Sequence, residues 1–263
     1  MSTNALLQAA LEVARIGGGV ALGYWRAGIT TEWKADGSPV TAADRAAETA
    51  MREWIGRHFP GDGILGEEFG ETVGASGRRW LLDPIDGTRA FVAGVPLWGT
   101  LVAILEGDTV LAGAAAFPPV DEHLAAARGE GCWHNGSRAR VSGVTALAQA
   151  TVLTTDLSGY SDARKREGWD ALARAARQAR TWGDCYGYLL VATGRAEVML
   201  DPLMHAWDSA CLQPIIEEAG GVFTDWDGRA TALGGSAVAT NAAVASEVRA
   251  ALVRKAEGGR RKA

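Results

Sequence analysis

The chain has 263 residues, of which 48% are hydrophobic and 22% are charged, and this composition excludes disorder as its main state. Its 26 basic and 31 acidic residues give a formal net charge of −5, so a nucleic-acid partner held by phosphate neutralisation is not expected. Three cysteines that form no CxxC pair, Cys132, Cys185 and Cys211, indicate free thiols in a reducing compartment rather than a disulfide framework.

The N-terminal sequence MSTNALLQAALEVARI argues against export. Glu12 and Arg15 interrupt its apolar residues, and it lacks both the basic region and the continuous apolar region of a secretion signal. The longest apolar stretch, about Val110 to Pro119, is much shorter than the ~20 residues that span a bilayer. We therefore expect a cytoplasmic protein without a membrane partner.

Two helices are predicted at the start of the chain. The first runs from about Asn4 to Arg26, and it needs close packing because each glycine in Gly17–Gly19 costs about 1 kcal/mol relative to alanine. The second begins at Thr41, whose hydroxyl can cap the helix together with Asp44 three residues later, and it continues to about Arg57.

The hydrophobic pattern then changes to short apolar segments between Gly, Pro and Asp turns, which predicts buried strands. The strands expected in the first half are Gly63–Gly66, Trp80–Leu82, Trp98–Leu105 and Val110–Phe117. The second half is expected to contain strands at Thr151–Thr155, Ala196–Leu200 and Val222–Thr224 and helices at Asp162–Ala179, Asp184–Thr193 and Ala206–Ala219. Pro214 should bend the last helix, at a cost of ~3 kcal/mol or more.

This alternation predicts a mixed α/β (α+β) fold of packed layers, although it does not define the strand order. A boundary is expected near residues 143–150. We predict an N-terminal α+β half (1–145) with most candidate metal ligands and a C-terminal α/β half (146–263), together forming one compact catalytic unit.

The segment Trp80–Thr88 (WLLDPIDGT) places two carboxylates at the end of a buried strand. Asp83 ends the strand, Pro84 fixes the backbone, and Asp86 follows three residues after Asp83. Like charges that close would raise each other's pKa unless a cation neutralised them, which implies a metal ion or a shared proton. An Asp-Pro turn in which Asp86 and Thr88 act as caps is the alternative.

Neighbouring residues extend this candidate site. The Ile85 carbonyl can supply a further oxygen ligand, Gly87 permits close backbone approach, and Thr88 can open a helix whose exposed N–H groups attract phosphate. Glu67, in the segment GEEFG, follows another apolar strand, and Asp208 begins a predicted helix. Carboxylates at adjacent strand ends suit a hard cation. A solvated turn at GEEFG and helix capping by Asp208 remain open.

The segments GEEFG, DPIDGT, WDSA and EEAGGVFTDWDG, in this order and at this separation, resemble the inositol monophosphatase superfamily of magnesium-dependent, lithium-sensitive phosphatases over about Lys34 to Asn241. The resemblance implies a layered α/β/α/β/α sandwich that is usually dimeric. It also implies two or three Mg²⁺ ions per subunit, with the ligands Glu67, Asp83, the Ile85 carbonyl, Asp86 and Asp208.

The resemblance further implies roles in hydrolysis. Phosphate would lie against Gly87 and Thr88, and a Mg²⁺-activated water would attack phosphorus in line. Glu67 and Thr88 would orient or deprotonate that water, while Asp208 would hold the metal on the leaving-group side. Asp44 matches the position near a more weakly held third Mg²⁺ and completes the expected catalytic set, although a capping role alone is equally consistent with its position.

The residues that follow DPIDGT address the substrate. Arg89, the later Gly-Val-Pro-x-Trp and the segment Trp182–Tyr188 (WGDCYGY) are similar to the histidinol-phosphate phosphatase branch of the family. Histidinol phosphate carries an ammonium and an imidazole beside its phosphate, so carboxylates at the far end of the pocket would favour it over a neutral polyol. The expected substrate-binding residues are Asp86, Gly87, Thr88, Arg89, Asp184 and Asp201, although Asp184 could instead cap its helix.

Alternatives to the hydrolysis of L-histidinol phosphate remain open. The substrate could be myo-inositol 1-phosphate or a broad set of sugar phosphates, which the metal motifs do not distinguish. A non-catalytic Mg²⁺ or phosphate-binding protein is a different class, and the full ligand set from Glu67 to Asp208 argues against it. In a glycosidase two carboxylates flank the sugar ring ~5 to 9.5 Å apart, which one turn holding both Asp83 and Asp86 does not favour.

Overall fold

The computed structural model of the chain describes residues 2–25, 31–33, 39–158 and 160–253. Its helices are α1 (Thr3–Tyr24), α2 (Ala42–His58), α3 (Thr88–Val92), α4 (Ala163–Ala175), α5 (Cys185–Ala192), α6 (Ala206–Ser209), α7 (Leu212–Glu218) and α8 (Ala245–Val253). Its strands are β1 (Thr31–Trp33), β2 (Pro39–Thr41), β3 (Gly63–Gly66), β4 (Gly70–Thr72), β5 (Arg78–Asp86), β6 (Gly99–Glu106), β7 (Thr109–Phe117), β8 (Glu122–Ala127), β9 (Gly131–His134), β10 (Ser137–Arg138), β11 (Thr151–Leu153), β12 (Gln178–Arg180), β13 (Val198–Asp201), β14 (Gly221–Thr224) and β15 (Ala237–Asn241).

Two mixed sheets organise the fold. The larger has the order β10-β9-β8-β7-β6-β5-β3-β4, with β3 and β5 parallel and the other neighbours antiparallel. The smaller has the order β12-β11-β13-β15-β14, in which β11 is parallel to both of its neighbours. Strands β1 and β2 form a separate antiparallel pair.

The helices separate and cover these sheets. Helices α1 and α2 pack on one face of the larger sheet, and α5 and α7 lie between the two sheets around a buried apolar cluster that includes Leu101, Phe117, Tyr188 and Ile215. Helices α4 and α8 pack together over a second cluster that includes Val198 and lies on the smaller sheet. The predicted α/β/α/β/α layering is confirmed.

Helix α1 tolerates its glycines because two of them lie in tight contacts. A Cβ atom at Gly17 would come 2.5 Å from the Met51 sulfur, and one at Gly18 would come 2.8 Å from the Pro118 ring. Close packing therefore offsets the poor helix propensity, as predicted. Of the predicted helix Asn4 to Arg26, the last residue lies outside the described part of the chain.

By length and composition alone, α1 could also cross a membrane. It has 22 residues, and its most apolar window has a mean hydropathy of 1.4. Half of that window is buried inside the fold, where α1 packs against β6, β7 and β8. The core helix of a globular domain has the same composition, so the feature is weak evidence for a membrane span.

Two predicted helices have different extents in the structure. The helix predicted to reach Ala179 ends at Ala175, because Ala176 is extended and Gln178–Arg180 pairs with β11 as an edge strand. The helix predicted from Ala206 to Ala219 is two helices, α6 and α7.

The break between α6 and α7 agrees with the bend predicted for Pro214, since Ala210 lies four residues before the proline. Cys211, at the break, packs on β7 so closely that a Cβ atom at Gly113 would overlap its backbone. The break leaves Pro214 in the first turn of α7. Pro214 has no N–H to donate to the Ala210 carbonyl, so the helical hydrogen bonding is interrupted at Ala210 and Cys211, although both residues keep helical φ and ψ.

Candidate active site

Strand β5 turns two carboxylates toward the same volume by means of an irregularity. Its pairing with β6 shifts register between Asp83 and Asp86, and the Thr100 hydroxyl donates to the Pro84 carbonyl at 2.7 Å within this segment. Ile85, between the two aspartates, is buried. A bulge adds one residue to a strand and changes the direction of the side chains that follow it. Asp83 and Asp86, three positions apart on β5, can therefore face the same side.

Three predicted ligands come together in one cluster. One carboxylate oxygen from each of Asp83, Asp86 and Asp208 lies within 4.8 Å of the other two. Asp208 reaches the cluster from α6, although it is more than a hundred positions away along the chain. Glu67, from the turn after β3, hydrogen-bonds the Asp83 side chain. The structure therefore brings three of the four predicted carboxylate ligands into one cluster and places Glu67 beside Asp83.

The electrostatics of this cluster are unfavourable without a cation. Burial raises the pKa of Asp83 well above its ordinary value, and the charges of Glu67, Asp86 and Asp208 raise it further. Burial and the Asp208 charge raise the pKa of Asp86 to about 7. Burial likewise raises the pKa of Asp208 to about 7, although the His205 amide, which donates to its carboxylate at 2.8 Å, opposes this.

The donor set fits a hard divalent cation. Carboxylate and carbonyl oxygens are the ligands that Mg²⁺ prefers, and its charge would relieve the mutual repulsion of the carboxylates. Asp208 also accepts the His205 N–H at the start of α6, so the capping alternative is a real contact of this residue. Its carboxylate nevertheless lies in the cluster with Asp83 and Asp86.

The turn after β5 connects the cluster to α3. Gly87 has a φ of 83° and precedes α3, and a Cβ atom there would lie 2.9 Å from the Leu97 carbonyl oxygen. The Thr88 hydroxyl donates to the Ile85 carbonyl at 3.0 Å. Thr88 begins α3 as predicted, and the positive φ explains why glycine precedes it.

Asp44 has the capping role that its sequence position predicts. Its carboxylate accepts hydrogen bonds from the Thr41 N–H and the Thr41 hydroxyl, each at 2.7 Å, at the start of α2. Asp44 is buried, and that burial raises its pKa, while the Glu67 charge adds a smaller increase. Its role near a third metal ion stays a prediction.

Asp184 does not use its side chain to cap α5. The residue precedes the helix with a φ of 49°, which is uncommon outside glycine, and the side chain makes no capping hydrogen bond. Its Oδ2 atom would lie 3.2 Å from a Cβ atom on Gly87. Burial raises the pKa of Asp184, and the charges of Asp86 and Asp201 raise it further. The carboxylate therefore faces the DPIDGT turn.

Asp201 and Arg89 have different surroundings. Asp201 is buried and accepts hydrogen bonds from the Thr155 N–H at 3.1 Å and the Tyr188 hydroxyl at 3.0 Å. Arg89 is exposed on α3, and its charge partly offsets the raised pKa of Asp184. Contact of either residue with substrate stays a prediction.

Sequence reasoning missed two groups that support the site. Glu48 is buried on α2 and accepts the backbone N–H groups of Glu68 and Phe69. The Cys185 N–H donates to Asp86 Oδ2 at 2.5 Å. The signal for Glu48 was its position four residues after Asp44 on one helix face. No sequence signal indicates a backbone donor such as that of Cys185.

The cysteines agree with the composition analysis. Cys132, Cys185 and Cys211 are buried and free. Burial raises the pKa of the Cys185 thiol well above its ordinary value, so it stays protonated beside the carboxylates. A buried, protonated thiol favours a packing role for Cys185 over a nucleophilic one.

The carboxylate cluster of Asp83, Asp86 and Asp208, next to a glycine turn and a helix start, is a donor set that fits a divalent cation of the kind that metal-dependent phosphatases use. A model of the inositol monophosphatase family matches residues 3–257, and the chain belongs to this family.

Individual relatives give finer comparisons. The chain is 42% identical to a histidinol-phosphatase of Chlorobaculum parvum over 94% of its length and 96% of the relative's. It is also 42% identical to a histidinol-phosphatase of Mycobacterium tuberculosis, over 82% and 85% of the two chains. Among solved structures, an inositol monophosphatase from Zymomonas mobilis superposes with a TM-score of 0.85 at 30% identity, over 96% of this chain and 99% of that one.

Proposed function

We propose that this phosphoric monoester hydrolase converts L-histidinol phosphate to L-histidinol and phosphate, as a step of histidine biosynthesis. The observation that carries the phosphatase chemistry is the meeting of Asp83, Asp86 and Asp208 within 4.8 Å. The 42% identity to two histidinol-phosphatases over most of the chain supports this substrate over a polyol phosphate.

The site suits two or three Mg²⁺ ions. The residues that would hold them are Glu67, Asp83, the Ile85 carbonyl, Asp86 and Asp208, with Asp44 near a third position. When bound, Mg²⁺ would offset the negative charge of the phosphate oxygens and lower the pKa of the attacking water. The carboxylates supply the hard oxygen ligands, and the pKa values of Asp83, Asp86 and Asp208 are raised, which is the direction expected of a site that favours a cation or protons.

The chain's own groups position the reactants. The Thr88 hydroxyl donates its proton to the Ile85 carbonyl. The lone pairs of the Thr88 hydroxyl oxygen can therefore accept a hydrogen bond from the attacking water. Glu67 lies against Asp83 and is the group we assign to receive the water's proton. The Gly87 and Thr88 backbone would contact the phosphate, since Gly87 has no side chain to block its approach.

Asp184 is the residue we assign to the cationic end of the substrate. Its buried carboxylate faces the DPIDGT turn beside the charges of Asp86 and Asp201. An ammonium or imidazolium group would offset this excess of negative charge, whereas a neutral polyol would not. Exposed Arg89 lies near enough to affect the Asp184 pKa and would border the same end of the pocket.

Phosphate release with Mg²⁺ tests the proposal directly. We expect kcat/KM for L-histidinol phosphate to exceed that for myo-inositol 1-phosphate, fructose 1,6-bisphosphate and 3'-phosphoadenosine 5'-phosphate by about a hundredfold, or ~2.7 kcal/mol. A chelator should abolish release, and added Mg²⁺ should restore it. Comparable rates would indicate a broad phosphatase, and no release from any ester would indicate a non-catalytic binding protein.

Asp184→Asn should change the choice of substrate. The amide keeps the shape of the side chain but cannot pair with a cation, so we expect kcat/KM for histidinol phosphate to fall about tenfold. The value for inositol 1-phosphate should stay within about twofold, since that substrate has no cation to lose a partner. Asp170→Asn, at an exposed position on α4, is the matched control. Equal losses on both esters would refute the specificity role.

The wider setting of the enzyme is also a proposal. The free buried cysteines and the net charge of −5 support a cytoplasmic protein that binds a small phosphate ester rather than nucleic acid or membrane. The family resemblance supports a homodimer. The meeting of Asp208 with Asp83 supports one catalytic unit built from residues 1–145 and 146–263.

A further inference from the structure

Helix α2 carries three polar residues at a spacing of four, Asp44, Glu48 and Arg52. Residues four apart lie on the same side of a helix, so this row forms a polar stripe. Asp44 caps the start of the helix, while Glu48 and Arg52 contact the turn that joins β3 to β4. That turn carries the predicted ligand Glu67.

Glu48 holds the turn through its backbone N–H groups. Its side chain is fully buried, and it accepts from the Glu68 N–H at 2.8 Å, the Phe69 N–H at 3.3 Å and the Arg52 Nε at 2.7 Å. A Cβ atom at Gly66 would overlap this carboxylate, which explains the glycine that precedes Glu67. The turn and the carboxylate therefore fit against each other without intervening side chains.

Arg52 holds the far end of the same turn. Its guanidinium donates to the Gly70 carbonyl at 2.5 Å and to the Thr72 hydroxyl at 3.1 Å, and it lies 5.9 Å from the Phe69 ring centroid. The planar guanidinium can reach several acceptors at once, which a lysine could not do from this position. Glu48 and Arg52 together thus contact the residues on the C-terminal side of Glu67.

We propose that Glu48 and Arg52 are positioning residues that hold the Glu67 carboxylate against Asp83 for metal binding. Glu67 and Asp83 repel each other when both are ionised, and the turn has a glycine at each end, so the backbone is free to carry Glu67 away. On the strand side, the Glu67 N–H donates to the Leu82 carbonyl at 3.1 Å. Glu48 and Arg52 hold the residues on the C-terminal side of Glu67. Together with the hydrogen bond to Leu82, these contacts define the direction of the Glu67 side chain.

This inference rests on the proposed function, since it assigns a purpose to Glu67 as a metal ligand. A purely structural ion pair between Glu48 and Arg52 would affect the stability of the fold but leave metal affinity unchanged. Metal affinity therefore distinguishes the two roles. Groups that orient a metal ligand typically change affinity or activity by 10–100-fold when they are replaced.

Calorimetric titration of the full chain with Mg²⁺, and separately with Mn²⁺, tests the inference. We expect Glu48→Gln and Arg52→Met each to raise the apparent dissociation constant about tenfold. The Mg²⁺ concentration that gives half-maximal phosphate release should rise in parallel, while KM for the ester stays close to that of the wild type. Glu53→Gln, an exposed glutamate on the same helix, is the matched control and should bind metal normally.

Folded variants with wild-type metal affinity would overturn the inference. Circular dichroism and thermal unfolding establish that each variant is folded. Arg52 is partly exposed, so Arg52→Met is expected to fold. If Glu48→Gln does not fold, the metal affinity of Arg52→Met tests the inference. A wild-type protein that binds no Mg²⁺ and releases no phosphate would instead overturn the proposed function itself.

Discussion

Asp86→Asn is expected to lower kcat/KM for phosphate release by about a thousandfold. The Asp86 carboxylate lies within 4.8 Å of those of Asp83 and Asp208, and the amide would remove one negative charge from the proposed metal site. Losing a preorganised charge contact in a catalytic site typically costs 10²- to 10³-fold, and here it would also weaken metal binding. Steady-state phosphate release over a range of Mg²⁺ concentrations measures both effects.

The fold should survive this substitution. Asparagine has the shape of aspartate, and its side-chain oxygen can still accept the Cys185 N–H. Because burial and Asp208 raise the pKa of Asp86 to about 7, removing this charge should leave the metal-free protein at least as stable above neutral pH. Asp108→Asn, in the exposed turn between β6 and β7, is the control for the chemical change. Near-normal release by Asp86→Asn at saturating Mg²⁺ would contradict the assigned site.

The buried strands could be predicted from the sequence because each is a short apolar segment between turn residues. The predicted strand Gly63–Gly66 has the bounds observed for β3, while the predicted bounds differ by one residue at each end of β6 and by one residue at the start of β7. Strands β4 and β10 are short and exposed, and β12 is short and half-buried, so no hydrophobic pattern marks them. Strand β15, although buried, lies in the sequence SAVATN, where small residues obscure the pattern.

The part of the site that could be predicted from the sequence is the part formed by residues close together in the chain. Asp83 and Asp86 share one strand end, so their convergence follows from the sequence alone. Asp208 joins them from α6, and this prediction depended on the family resemblance because no local pattern encodes so distant a contact.

Two positions show why the rest of the site was not predictable. Glu48 shares a helix face with Asp44, but it acts on backbone N–H groups, which every turn possesses, so the sequence does not show which turn it holds. The direction of the Asp184 side chain depends on a positive φ that its residue type does not require.

Metal-free protein is expected to lose several kcal/mol of stability between about pH 5 and pH 8. Asp86 and Asp208 have a pKa of about 7 in the folded state against 3.8 in an unperturbed chain, so the folded state binds their protons more tightly. Stability from this source is present below pH 4 and is lost as the pH rises through 7. A shift of about 3 pKa units corresponds to ~4 kcal/mol for one such group, and the coupled pair contributes less than twice that.

Mg²⁺ should reverse this loss at pH 8 and have little effect at pH 5, because protons compete for the same carboxylates at the lower pH. Urea unfolding at both pH values, with a chelator or with Mg²⁺, measures the four free energies of unfolding. Asp208→Asn removes one of the titrating groups and should reduce the pH dependence, whereas Asp108→Asn should preserve it. Equal stability of the metal-free protein at the two pH values would contradict the cluster electrostatics. Equal stabilisation by Mg²⁺ at both would mean that the ion binds elsewhere, since carboxylates that hold protons at pH 5 cannot bind it as well as they do at pH 8.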